Sequence, residues 1–114
     1  MTRADFRLGT EKRLARKADF ERLLREGARR SKSGYLFYMA ARAEGPARLG
    51  ILISRRHAAK ATMRNRIKRC IREAFRLEQS RLGALDVLVR PPYGAQPGAA
   101  MQEQLRGMFA SLAR

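Results

Sequence analysis

Acidic residues are scarce in this chain and cysteine is nearly absent: 10 Asp or Glu stand against 26 Lys or Arg, and Cys70 is the one cysteine among 114 residues. A single cysteine cannot close an internal disulfide, so the secreted, disulfide-stapled class loses its support and the reducing cytoplasm is the expected location. Long hydrophobic runs are missing too. Met1 to Lys17 is charged throughout and lacks the apolar run of roughly 7 to 15 residues that a signal peptide needs. The longest apolar stretch, Tyr35 to Ala41, falls far short of the roughly 20 residues that cross a bilayer as a helix. A membrane-surface role would need a bulky lipid-facing stripe opposite the basic residues; that bulk is absent, and no membrane partner is expected. The ten acids are scattered, with no clustered carboxylates to hold a metal or to act as an acid/base pair, so no catalytic residue is expected in the polypeptide. No zinc-ligand spacing and no glycine-rich phosphate loop occur either. His57, the only histidine, sits among Arg55, Arg56 and Lys60, whose field disfavours the imidazolium; it reads as a loop or phosphate-contacting side chain.

What remains is a basic globular sequence. The length leaves room for one domain, residues 1–114, with residues 1–12 expected to be flexible. A hydrophobic fraction of 45% is enough for a core, and a net charge of +16 seeks polyanions. That charge is uneven. Residues 1 to 33 hold eleven basic and five acidic side chains, whereas Gly45 to Arg72 holds nine basic and none acidic. Pro91 to Arg114 carries only Glu103, Arg106 and Arg114 and reads as packing. There is no internal repeat, and the prolines and glycines between Pro91 and Gly98 mark one loop.

Phe20, Leu23 and Leu24 have the spacing of a helix face over Asp19 to Glu26, and Gly27 stops it. Tyr35 to Arg42 and Arg48 to Ser54 read as an antiparallel strand pair joined through Glu44-Gly45-Pro46. Ala28 to Lys32 admits a further short strand, but Ser31 to Gly34 carries no clear signal for it. Ala61 to Leu82 has helical periodicity, Ala84 to Arg90 alternates Leu85, Val87 and Val89, and Ala99 to Ala113 is helical again. The pattern predicts an α/β sandwich in which helices cover one face of a small sheet. Along the first long strand, Tyr35, Phe37 and Met39 share one face and Leu36, Tyr38 and Ala40 the other. Phe37 is assigned to the core and Tyr38 to a ligand contact.

The most informative segment runs from Thr62, read as a helix cap, to Arg76. At about 100° per residue, Met63, Ile67, Cys70, Ile71, Ala74 and Leu77 fall in one arc, and Asn65, Lys68, Arg69, Arg72 and Arg76 in the opposite one. Arg64 and Arg66 border the apolar arc. Like charges at such spacing repel by roughly 0.2 to 0.5 kcal/mol per pair, and bidentate phosphate contacts would offset that cost. Cys70 reads as a small core residue.

Arg64-Asn65-Arg66-Ile67-Lys68-Arg69, continuing as Ile71-Arg72-Glu73-Ala74-Phe75-Arg76, resembles the signature of the bacterial ribonuclease P protein subunit. The likeness extends to Arg13 through Phe20 with Gly27, to Tyr35 through Met39 and to Gly50 through Arg56, covering most of residues 8 to 92. It implies an α+β fold in α-β-β-β-α-β-α order, a two-layer sandwich with one parallel strand pair joined by an unusual left-handed crossover helix. It also implies a monomeric protein that binds a large catalytic RNA and precursor tRNA. The RNA performs magnesium-dependent removal of the 5′ leader, and the polypeptide holds no cofactor tightly. Carried over by position, Arg64, Asn65, Arg66, Lys68, Arg69 and Arg72 face RNA, with Arg76, Arg55, Arg56 and Lys60 extending that surface. Phe20 and Tyr38, with Arg16 and Lys17, line a cleft for the single-stranded leader. Leu24 stands where a further aromatic is common. The alternative class is a structural RNA binder that cleaves nothing, such as a small ribosomal protein.

Overall fold

The computed structural model describes residues 17–112. Residues 1–12 and Arg16 lie outside them. The described elements are α1 (Lys17–Glu26), β1 (Ala28–Lys32), β2 (Tyr35–Ala41), β3 (Arg48–Ile51), α2 (Ala61–Glu78), a short 3₁₀ turn (Gln79–Arg81), β4 (Leu85–Arg90) and α3 (Ala99–Leu112). This is the expected α+β order, three helices on a four-stranded mixed sheet. Among the described residues no helix is long and apolar enough to cross a membrane.

The sheet order is β1-β2-β4-β3, with β1–β2 and β2–β4 antiparallel and β3–β4 parallel. The expected pairing of β2 with β3 is therefore wrong: the two run in opposite directions, but β4 is inserted between them. The reason lies in β4 itself. Val87, Leu88 and Val89 are all fully buried, so this strand needs neighbours on both edges and cover on both faces, which only a central position supplies. The connection Arg42–Ala47 then spans the width of a strand instead of closing a hairpin.

β1 is real, and its silence in the sequence is explicable. All five residues, Ala-Arg-Arg-Ser-Lys, are exposed, as suits a charged edge strand that resists further pairing. It joins β2 through Ser33 and Gly34, both at positive φ, 52° and 84°, which is the backbone of a tight two-residue hairpin. Gly27, between α1 and β1, has no room for a side chain. A Cβ there would stand 2.6 Å from the Leu23 carbonyl oxygen and 3.1 Å from that of Met39, both backbone atoms.

The two faces of the sheet are covered differently. Tyr35, Phe37, Leu49, Val87 and Val89 pack against Ile67, Ile71, Ala74 and Phe75 of α2 and against Leu105, Met108 and Phe109 of α3. On the other face Tyr38 and Leu88 pack against Leu23 of α1, with Phe20, Leu36, Ala40 and Leu52 around them. Helices thus lie on both faces, which corrects the expectation that they cover only one. The strand register explains it, since β2 is apolar on both sides and sets Phe37 beside Val89 on one face and Tyr38 beside Leu88 on the other.

Candidate nucleic-acid interface

α2 presents its cations outward, as its pattern requires. Asn65, Arg66, Arg69 and Arg72 are exposed and Lys68 is half-buried at the margin. The buried arc is Ile67, Ile71, Ala74, Phe75 and Glu78. It is turned relative to the expected one: Phe75 joins the core, and Leu77 falls to the border. The helix is not capped by Thr62. Lys60 is the cap residue and makes no side-chain cap bond.

Arg64 falls on the inner side of the shifted arc, and it folds back over the helix start. Its Nη1 donates to the carbonyls of Ala58 and Ala59 at 2.9 and 3.0 Å. It therefore braces the loop ahead of α2 and does not stand free beside Arg66. Arg76 is committed as well, paired with Glu73 on the same helix through Nε at 3.1 Å and through Nη2. The bond to Arg76 holds the Glu73 carboxyl below its ordinary value, so the pair is ionised and its charges cancel. Of the upstream residues, Arg55, Arg56 and Lys60 are all exposed. No acid occupies the first turn of α2. The positive end of the helix dipole and these cations therefore add, leaving a surface that favours anions.

On the opposite face, α1 and the sheet form the second part of the site. Lys17 is exposed at the start of α1, Phe20 is half-buried, and Leu24 keeps 42% of its surface exposed. Tyr38 is only 8% exposed, so most of its ring is used in packing against Leu23 and Leu88. Phe37, as expected, is core at 1%.

Sequence reasoning missed what holds α1 in place. Asp86 on β4 is fully buried and receives three arginines, from α1, from the connection after β2 and from β3. Arg48 grips it twice, Nε to Oδ1 at 2.8 Å and Nη2 to Oδ2 at 2.7 Å; Arg42 Nε reaches Oδ1 at 2.8 Å; and Arg22 of α1 reaches Oδ2 at 3.5 Å. Burial pushes this carboxyl upward, but the bonds and charges of Arg48 and Arg42 outweigh it and hold the group below the usual range. An isolated Asp in a Val-rich strand was the available signal, since a buried acid must find cations.

His57 lies inside the 55–57 turn and is 7% exposed, so it faces the protein and not a phosphate. Its Nδ1 accepts from the Ser54 N–H at 2.9 Å. Burial, and then the charge of Arg90, keep its pKa below the ordinary value. The ring is neutral near pH 7.

Comparison with known proteins places this geometry in a family. The Ribonuclease P family model matches residues 8–113. The chain belongs to the ribonuclease P protein family. The ribonuclease P protein component of Acinetobacter baylyi is 33% identical over 112 residues, covering 96% of this chain and 86% of that one. That of Bordetella avium is 44% identical over 87 residues, 73% and 71% of the two chains. Among solved structures, a Staphylococcus aureus RNase P protein superposes with a TM-score of 0.72 at 28% identity, covering 89% of this chain and 91% of that one. The Thermotoga maritima RNase P protein gives 0.62 at 26%, covering 89% and 87%. Family membership implies a ribonuclease particle with an RNA partner.

Proposed function

We propose that this chain is the protein subunit of ribonuclease P in the cytoplasm, binding the catalytic RNA through α2 and the turn before it. The single-stranded 5′ leader of precursor tRNA lies along the cleft between α1 and the sheet. The observation that carries this reading is the outward face of α2, where Asn65, Arg66, Arg69 and Arg72 are exposed on a helix with no acid ahead of Glu73. Guanidinium forks match phosphate oxygens, and neutralising phosphates releases condensed counterions, so such a ridge gains free energy on RNA. A structural RNA binder of the ribosomal kind is disfavoured by the family to which the chain belongs.

The polypeptide is not the cutting agent in this reading. Among the described residues no cluster of three or more His, Cys, Asp or Glu could hold a metal ion, and the buried carboxylate of Asp86 is filled by arginines. These residues do not fit a resident magnesium site, and the hydrolytic magnesium is assigned to the RNA. What a single copy of the protein supplies is positive field. A net charge of +16 lowers the repulsion between two RNAs held side by side. Mixing the chain with its cognate catalytic RNA at low magnesium tests the reading. Restored cleavage of precursor tRNA is expected; RNA binding with no cleavage would return the chain to the structural class.

A further inference from the structure

Tyr93 is the one exposed aromatic side chain among the described residues. Phe37, Phe75 and Phe109 are fully buried and Tyr35 and Tyr38 nearly so, whereas Tyr93 keeps 56% of its surface exposed. An exposed tyrosine alone needs no explanation. This one, however, is held from several sides. Its ring lies against that of His57, 4.8 Å between centroids, and its hydroxyl accepts from Arg90 Nη2 at 3.0 Å. The Arg90 guanidinium carbon stands 5.6 Å from the ring centre. The next residue is pinned too, Gly94 N–H donating to the His57 carbonyl at 3.3 Å. His57 is itself buried and locked by the Ser54 N–H. The rotamer freedom of Tyr93 is therefore already spent, while 56% of its surface stays exposed between the His57 ring and the Arg90 guanidinium over it.

Its position joins the two halves of the interface. Arg90 pairs with Leu36, on the face of the sheet that carries Tyr38, and Tyr93 follows three residues beyond the end of β4. The turn it leans on bears the exposed Arg55 and Arg56 and leads into α2. Neither surrounding segment, 45–72 or 87–102, contains an acid. A rigid, half-exposed ring in a purely cationic setting is the arrangement on which unpaired bases stack, with phosphates taken by neighbouring guanidiniums.

We propose that Tyr93 is a stacking platform for one unpaired RNA base, with Arg90 and the Arg55–Arg56 turn serving the adjoining phosphates. This rests on the RNA-binding function above and adds a specific base contact to it. The base comes either from the leader or from an unpaired segment of the catalytic RNA, and both are single-stranded RNA chemistry.

Tyr93→Trp gives the test, because the chain has no tryptophan of its own. The variant is titrated with catalytic RNA, and the assembled particle is then titrated with precursor and with mature tRNA. Quenching of the indole emission by catalytic RNA assigns the base to that partner; quenching only by precursor assigns it to the leader. In the arm that quenches, Tyr93→Ala weakens binding about tenfold, the order of one base–aromatic stack. The salt dependence stays unchanged, since no phosphate contact is lost, and Tyr93→Phe retains affinity. Absence of quenching in every arm, or full affinity in a Tyr93→Ala variant whose thermal melt matches wild type, overturns the proposal. If the wild-type chain itself neither binds RNA nor restores cleavage, the functional reading falls first; if it does both while the Tyr93 variants are silent, only the platform falls.

Discussion

Asp86 gathers three arginines from distant parts of the chain on one carboxylate. Because its folded pKa is depressed, its contribution to stability is complete above the ordinary carboxylate value and is lost as pH falls through the lower folded value. Thermal melts are therefore expected to lose stability below about pH 4. Asp86→Asn removes the charge on which Arg22, Arg42 and Arg48 converge, and should cost about 2 to 4 kcal/mol near neutrality while flattening that acid limb. The figure is kept below that of a fully buried pair because the three arginines are 44%, 23% and 25% exposed and can turn to water. A Tm unchanged at pH 7 would contradict the clamp. His57 acts at a higher pH. Its folded pKa is lowered, so the unfolded chain takes up the proton first, and stability declines as pH drops below about 6.5. Urea melts at pH 7.5 and 5.5 should show that decline in the wild type and a smaller one in His57→Leu, which fills the same buried space without a titrating ring.

At the scale of elements, α2 was the most legible part of the chain. Its 3.6-residue alternation of apolar and cationic positions is a local property, so its outward charge follows from spacing, while the expected end at Leu82 gives way to a 3₁₀ turn after Glu78. What spacing could not show is how its cations are used. Arg64 is turned onto Ala58 and Ala59, and Arg76 onto Glu73. This ranks the helix. Arg66→Ala should reduce the salt slope of binding to catalytic RNA by about one contact, whereas Arg76→Ala should change it less. Glu73→Gln should do the reverse, raising affinity by releasing the Arg76 charge. Equal slopes for the Arg66 and Arg76 variants in filter-binding titrations would refute the ranking. β1 stands at the other extreme, because an exposed edge strand of Ala-Arg-Arg-Ser-Lys has no apolar alternation to read.

Across the whole molecule, the two surfaces proposed to meet RNA lie on opposite sides of one sheet. α2 packs on the face that holds Phe37 and Val89, while α1 covers the face of Tyr38 and Leu88. The parallel pair β3–β4 carries both surfaces to a shared end, where the 55–57 turn and Tyr93 stand. A protein so arranged can touch two RNAs at once. Six cations, Arg55, Arg56, Lys60, Arg66, Arg69 and Arg72, are exposed on the surface proposed for the catalytic RNA. Raising salt from about 50 to 200 mM should then weaken that binding roughly a thousandfold. The cleft is separable: Phe20→Ala should weaken precursor binding to the assembled particle and leave mature tRNA almost unaffected. Equal losses on both would remove Phe20 from the leader path.

The amino-acid sequence by itself determined the helices, the apolar strands, the excess of positive charge and the family signature around Arg64 to Arg76. Each of these is written in neighbouring residues or in totals that need no fold. Only the tertiary structure decided the strand order, the cover on both faces, the clamp on Asp86 and the seat of Tyr93 on His57. The partners of Asp86 lie 38, 44 and 64 residues away along the chain. Contacts at such separations leave no local period to read; they arise because β4, with Val87, Leu88 and Val89 fully buried, is driven to the centre of the sheet and brings Asp86 with it.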